Sequence, residues 1–431
     1  MSRSFCLLAW AMSSVALSAF QAQAQESAYG KAVVKELSSP SYKGRGYAEK
    51  GDCKAARYIA RQFKKNGALP FTANDNQYIQ NYSVQVNYFP GEMDVAINNE
   101  KLLPGVDYLV DAASPSVKGR YAVVEGHRRD MLDSASLFGL MQKARGAFLY
   151  MDNRTDTTET KEETESINQN LRYIQSDSLL PIKGIVLYSP KKLTWTVLPY
   201  QTPRPLILLH KWVDMPKTIR LDVESRLQTD YRTENVAGYI KGTEVPDSFL
   251  VVSAHYDHLG KMGKHTVFYG ANDNASGTGF LLALMRYFRK HPTRYSMAFL
   301  SFSGEELGLK GSEYFVANPL FDLKKIKFLC NFDMSGTGIE GIQIVNSSIY
   351  TQAYDAIKSI NDRGHFVKQI KTRGEAANSD HYWFYKNGVP SFFFYTLGGV
   401  NYHDVNDTYA SLPFDAWDNY LELIQQFLRT F

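Results

Sequence analysis

From about residue 231 onward, short continuous apolar runs alternate with amphipathic stretches, and most of the runs are followed within three residues by an acid or a histidine. The runs are Phe249-Ser253, Met297-Phe302, Ile326-Phe332 and Ser391-Thr396. Between and after them lie helical patterns: residues 275–288 carry Phe280, Leu281, Leu284, Met285 and Phe288 on one face, and residues 414–429 carry Trp417, Leu421, Ile424 and Leu428. Apolar runs without alternation, set between amphipathic helices, predict an α/β fold whose central, mostly parallel sheet is covered by helices on both faces. An earlier stretch, GDCKAARYIARQFKKNG at 51–67, has Ala55, Ile59, Ala60 and Phe63 at helical spacing, with Gly67 as a stop.

The chain of 431 residues is too long for one ordinary domain. Between about 90 and 225 its character changes to short strand-like runs, Tyr121-Val124, Ala147-Tyr150, Ile185-Tyr188 and Leu206-Leu209, separated by turns. The polar segment 153–170 (NRTDTTETKEETESINQN) predicts a mobile loop. The expected organisation is a leader at 1–24, a main domain formed by 25–90 and 226–431, and a mainly β insert at 91–225. That insert offers no acid or histidine to the set described below, so it is expected to shape substrate access and take no part in chemistry.

The leader reading rests on Arg3, an apolar stretch from Phe5 to Phe20, and the small-x-small site Ala22-Gln23-Ala24. It predicts an exported protein, periplasmic or secreted, with no membrane anchor, because no other apolar run is long enough to span. A formal net charge of +4, without a basic run interleaved with aromatics, gives no sign of a nucleic-acid partner. Cys53 and Cys330 lie in no CxxC spacing and are poor zinc ligands; whether they pair stays open. The 28 Tyr and 25 Phe are read as core and surface rather than as a ligand platform.

Six residues in chain order carry the chemistry: His255, Asp273, Glu305, Glu306, Asp333 and His403. Strand-end ligands can converge on one crevice at the carboxyl edge of an α/β sheet. Imidazole nitrogen and carboxylate oxygen are zinc donors. Asp257, two residues beyond His255 on an extended segment, falls on the same side and suits a carboxylate that orients the His255 ring, whereas His258 is expected to face away. Asp273 lies in a Gly/Asn-rich turn before a helix, where both its oxygens can bridge two cations. Glu305 and Glu306 are adjacent and project to opposite sides, so one can ligate while the other stays free as a general base. The Tyr402 hydroxyl, next to His403, can stabilise an oxyanion. The set predicts a two-metal hydrolase. His381 is expected to line the cleft, and the other histidines to be structural.

At these residues the chain resembles the secreted di-zinc aminopeptidases of clan MH, of the aminopeptidase S and glutamate carboxypeptidase II type. The stretches that carry the resemblance are TENVAGYIKG (233–242), VVSAHYDHLG (251–260), GANDNASGTG (270–279), SFSGEELGLKGSEYF (301–315), NFDMSG (331–336), NSDHYWFYKNGVPSFFF (378–394) and YHDVNDT (402–408), and Gly44-Arg45-Gly46 also looks like the start of such domains. The resemblance implies a zinc exopeptidase fold holding two zinc ions. Asp273 would bridge both, His255 and Asp333 would complete one position, and Glu306 and His403 the other. Glu305 would be the general base and Tyr402 the oxyanion donor. The implied activity is a metallo-exopeptidase that hydrolyses the N-terminal bond of peptide substrates through a di-zinc-bound hydroxide. KARGAFLYMD (143–152) makes the insert similar to a protease-associated domain, from which the acidic 153–170 segment departs. Three alternatives remain: a glutaminyl cyclase-like transferase with one zinc, a carboxypeptidase, which needs an Arg for the substrate carboxylate, and an inactive binding module.

Overall fold

The computed structural model describes residues 24–72, 78–399 and 401–431. Residues 1–23 of the expected leader lie outside the described residues. Residues 24–37 are helical, and among the described residues no helix is long and apolar enough to cross a membrane.

One sheet of eight strands organises the molecule. Its strands are β1 (Ile79–Tyr88), β2 (Arg226–Ile240), β3 (Val245–His255), β4 (Tyr295–Phe302), β5 (Ile326–Asp333), β6 (Ile342–Val345), β7 (Ile370–Thr372) and β8 (Ser391–Thr396). Their spatial order is β1-β2-β4-β3-β5-β8-β6-β7. The central four, β4, β3, β5 and β8, are parallel. Outside them β2 runs antiparallel to β4, and β6 antiparallel to β8. The sheet is therefore mixed with a parallel centre, and the apolar runs read from the sequence are its buried middle strands.

Helices cover both faces, and alternation along each strand divides the core. Leu250, Val252 and Ala254 of β3, with Met297 and Phe299 of β4, pack under α1 (Gly51–Lys65), α2 (Gly277–Lys290) and α3 (Trp417–Leu428). Phe249, Val251, Ala298, Leu300 and Phe302 point the other way, against Phe315 and Phe384 from helices Lys310–Ala317 and His381–Lys386. This is the two-sided burial that makes parallel strands uniformly apolar. At the first face Phe280 is fully buried and sits between Phe332, Trp417 and Tyr420, with ring centroids 4.7–5.4 Å away.

All strands between Met93 and Val223 belong to a second eight-stranded sheet, in the order Glu100–Lys101, Met93–Ile97, Thr218–Val223, Val117–Gly126, Phe148–Asp152, Gly184–Tyr188, Leu206–Leu209, Tyr108–Val110. The segment read as a mobile loop is different in the structure. Lys161–Ser176 is a helix, opened by a capping box in which Thr160 and Glu163 satisfy each other's backbone amides. Its apolar stripe, Ile167, Leu171 and Ile174, is buried. Glu162 and Glu163 occupy the first turn, where the helix dipole favours them, and most of the stripe begins only as the polar run ends. Cys53 and Cys330 are both buried free thiols. Phe280→Ala should lower unfolding stability by about 3–5 kcal/mol, read as a shift of the denaturant midpoint.

Candidate metal centre

The carboxyl ends of β3, β4 and β5 deliver most of the candidate residues to one edge. His255 is the last residue of β3 and Asp333 the last of β5. Glu305 and Glu306 follow β4. Asp273 lies in the turn Ala271–Ser276 that leads into α2. His403 comes from the loop after β8 with a left-handed backbone, φ 56°.

Asp273 sits between two imidazoles. Its Oδ1 stands 3.5 Å from His255 Nε2, and its Oδ2 stands 3.1 Å from His403 Nε2. His255 Nε2 is also 3.4 Å from Asp333 Oδ2, and His403 Nε2 is 3.1 Å from Glu306 Oε2. The two glutamates go to different sides: Glu305 groups with His255 and Asp333, and Glu306 with Asp273. His258, expected to face away, is fully buried and turned inward; its Nδ1 is 2.8 Å from Glu306 Oε1 and 3.9 Å from Asp273 Oδ2. The turn at Tyr256-Asp257 breaks the simple alternation of an extended strand, which ends at His255.

The supporting shell explains why these side chains hold still. His255 Nδ1 faces the main-chain oxygen of Asp257 at 3.2 Å and its Oδ1 at 3.6 Å. The Asp257 carboxylate also accepts the amides of Glu305 and Glu306, at 3.2 and 3.4 Å, and the Tyr47 hydroxyl. Asp407 accepts the amides of Asn272 and Asp273 at 2.8 and 3.0 Å. Asn274 ties the same turn to β5, donating to Phe332 O and accepting from the amides of Gly277 and Met334. The residue sequence reasoning passed over is Arg45. It is fully buried and donates to five carbonyl oxygens, those of Leu37, Tyr256, Tyr269, Gly270 and Asp273. Gly46 lets this segment approach: a Cβ there would lie 2.5 Å from Gly260 Cα. The sequence signal was the lone Arg between two glycines.

Burial dominates the electrostatics. It raises the Glu305 and Asp333 pKa values, with neighbouring acids adding to it. It pushes Asp380, which accepts from Ser312 Oγ, up to about 7 and Asp407 up to about 6. Burial opposes charge on His403, yet Glu306 and Asp273 push it up to about 11. Tyr402 stacks on His403 at 3.8 Å, and burial with the Asp273 and Glu306 charges raises its phenol, so it stays a donor. His255 Nε2, His258 Nε2 and Asp333 Oδ1 are buried without a hydrogen-bond partner. A set of carboxylates this crowded, with orphaned donor atoms aimed inward, fits cations of the zinc class.

The cluster opens on a cavity of about 430 Å³ lined by Asp273, Glu305, Asp333, Tyr402 and His403 together with Met334, Phe393, Tyr395 and Leu397. His381 is buried behind it, stacked on Phe393 at 5.2 Å.

The family model described as Peptidase family M28 matches residues 235–428, the span that holds every residue of this cluster. The chain is similar to aminopeptidase YwaD of Bacillus subtilis, 30% identical over 173 residues covering 38% of this chain and 35% of that enzyme. It is also similar to a probable zinc metalloprotease of Leptosphaeria maculans, 31% identical over 117 residues covering 27% of each chain. The chain thus spans about a third or less of the length of these curated relatives. Two solved structures share the fold across nearly the whole chain. A zinc aminopeptidase from Bacillus subtilis gives a TM-score of 0.67 at 18% identity, over 94% of both chains. An M28 peptidase precursor from Shewanella amazonensis gives 0.69 at 15% identity, over 95% of both.

Asp257 joins the His255 ring to the Glu305-Glu306 turn, so the site should be sensitive to it. Asp257→Asn keeps the size but sets an amide group against one of those donors. Zinc affinity should fall about ten- to a hundredfold, measured by competition titration against a chromogenic chelator; unchanged affinity would make Asp257 a bystander.

Proposed function

We propose that the chain is a zinc-dependent aminopeptidase, a metallo-exopeptidase acting on the N-terminal bond of peptides. The observation that carries this reading is Asp273 presenting one oxygen to His255 and the other to His403, inside a buried acid cluster at the mouth of a cavity. Asp273 would bridge two zinc ions, His255 and Asp333 would complete one position, and Glu306 and His403 the other. His258, against the second oxygen of Glu306, orients that carboxylate. When bound, the two ions supply Lewis-acid polarisation of the scissile carbonyl and lower the pKa of water.

The chain's own groups do the rest. Glu305, whose burial favours holding a proton, takes one from the attacking water and delivers it to the leaving amine nitrogen. Asp257 fixes the turn on which Glu305 stands. The Tyr402 hydroxyl donates to the carbonyl oxygen as charge develops there. The aromatic wall of Phe393 and Tyr395 receives the substrate's side chain.

The cavity wall also separates this reading from a carboxypeptidase. None of its described lining residues is Lys or Arg, so a substrate carboxylate finds no partner, while the acids attract a free α-ammonium. A glutaminyl cyclase-like enzyme would hold one metal, which elemental analysis distinguishes from two. The division of the chain into a main domain at 25–90 and 226–431 and a protease-associated-like insert at 91–225, and export behind a leader at 1–24, belong to the same reading.

Free amino-acid arylamides should be cleaved and their N-acetyl counterparts left intact. Chelation should abolish turnover and zinc should restore it. Equal cleavage of blocked substrates, or full activity after metal depletion, overturns the assignment. In a companion measurement Glu305→Gln should lose about a hundred- to ten-thousandfold in kcat while both zinc equivalents stay bound. Loss of zinc in that variant would make Glu305 a ligand instead of the base.

A further inference from the structure

The insert was expected to stand apart from the chemistry, yet one of its segments touches the metal-centre loop at four points. His403 Nδ1 lies 2.8 Å from the main-chain oxygen of Trp195. The amide of Trp195 donates back to His403 O at 3.0 Å. Lys192 Nζ donates to Tyr402 O at 3.0 Å and pairs with Asp404 Oδ2 at 2.8 Å. Trp195 is itself anchored: its ring is buried and stacked on Phe268 at 4.8 Å, and its Nε1 donates to Val110 O at 2.8 Å.

We propose that residues 192–195 of the insert form a strap that positions His403, so that the metal position completed by Glu306 and His403 depends on the insert. This rests on the two-zinc reading above. A carbonyl can only accept, so the Trp195 contact requires the proton on His403 Nδ1 and turns Nε2 toward Asp273 and Glu306. A partner on the far ring nitrogen fixes both the tautomer and the orientation of a ligating imidazole. His403 is also held in the left-handed region, a conformation of low population for a non-glycine residue that persists where its surroundings over-determine it. The paired bonds to Trp195 do that. His255 has its equivalent partner in Asp257, within the M28 segment, so its position is independent of the strap.

Trp195 and Lys192 are positioning residues in this scheme, since neither reaches the cavity. The test is zinc titration of the full-length protein, resolving two equivalents. Lys192→Met, which leaves the core intact, and Trp195→Phe, which keeps ring packing but loses the Val110 anchor, should each weaken one equivalent and leave the other at its parental affinity. The loss should approach the roughly tenfold lower end known for such outer contacts. Lys192→Arg should restore it. Ile167→Ala, which loosens a core of the insert separate from the one that holds Trp195, is the control and should change neither equivalent. The His403 Nδ1 proton resonance should shift or exchange faster in both strap variants and not in the control. Two parental affinities in both folded strap variants overturn the strap, as does an equal effect from Ile167→Ala. A parent protein that binds fewer than two zinc ions overturns the function reading instead, which keeps the two failures apart.

Discussion

Burying a cluster of carboxylates at one sheet edge is the constraint from which the rest of this structure follows. Asp257, Asp273, Glu306, Asp333, Asp380 and Asp407 are all withdrawn from solvent there, with Glu305 at the cavity wall. Isolated charges of this kind are costly to bury, and each must find donors or cations. Three have neutral donors. Asp257 and Asp407 collect backbone amides, and Asp380 takes the Ser312 hydroxyl. Asp273, Glu306 and Asp333 instead face imidazoles. Arg45 adds a permanent charge behind them without pairing to any carboxylate; it is spent on main-chain oxygens that hold the 256–257 turn and the 269–273 turn together. The acids that have amides therefore build the frame, and those that have only histidines are the ones that the proposed function assigns to cations.

The same division explains what could be read in the sequence. His255, Asp333 and the Glu305-Glu306 pair were legible because strand periodicity fixes where a run ends, and the carboxyl edge of a parallel sheet is where such ends converge. His258 differs for a related reason: it lies three residues past the strand that ends at His255, where the alternation rule does not apply. The role of Arg45 was not legible, because its partners are carbonyl oxygens from three segments, and carbonyls leave no mark in a side-chain pattern. Helix Lys161–Ser176 was hidden by composition. Ile167 is the single apolar residue of the polar run, and Leu171 and Ile174 lie past its end, so the stripe appears only when the window is moved along.

The insert shows a wider limit of reading domains from composition. Its strands form their own sheet, but its packing does not stop at the sheet's border. One continuous apolar cluster takes Val95, Ile97, Tyr108 and Trp195 from the insert together with Tyr47, Leu259, Met262, Phe268 and Leu307 from the surrounding chain. Leu259 and Leu307 lie within a few residues of His255 and Glu306. A sequence boundary near residues 91 and 225 describes the path of the backbone, while the core that steadies the two metal-centre turns is shared across it.

Val405, on the loop at 401–408, packs against that shared core. Strand ends are rigid because both neighbours in the sheet hold them, whereas His403 lies beyond β8 with no ladder partner of its own. Two partners compensate from opposite sides. Asp407, on the same loop, binds the Asp273 turn through two amides, and Trp195 binds His403 through both its backbone groups. Neither partner alone fixes the ring, since Asp407 sets where the loop begins its return and Trp195 sets which nitrogen faces inward. A side chain supplied by a loop can thus be held as firmly as one at a strand end, provided the loop is tied at two points to elements that are themselves buried.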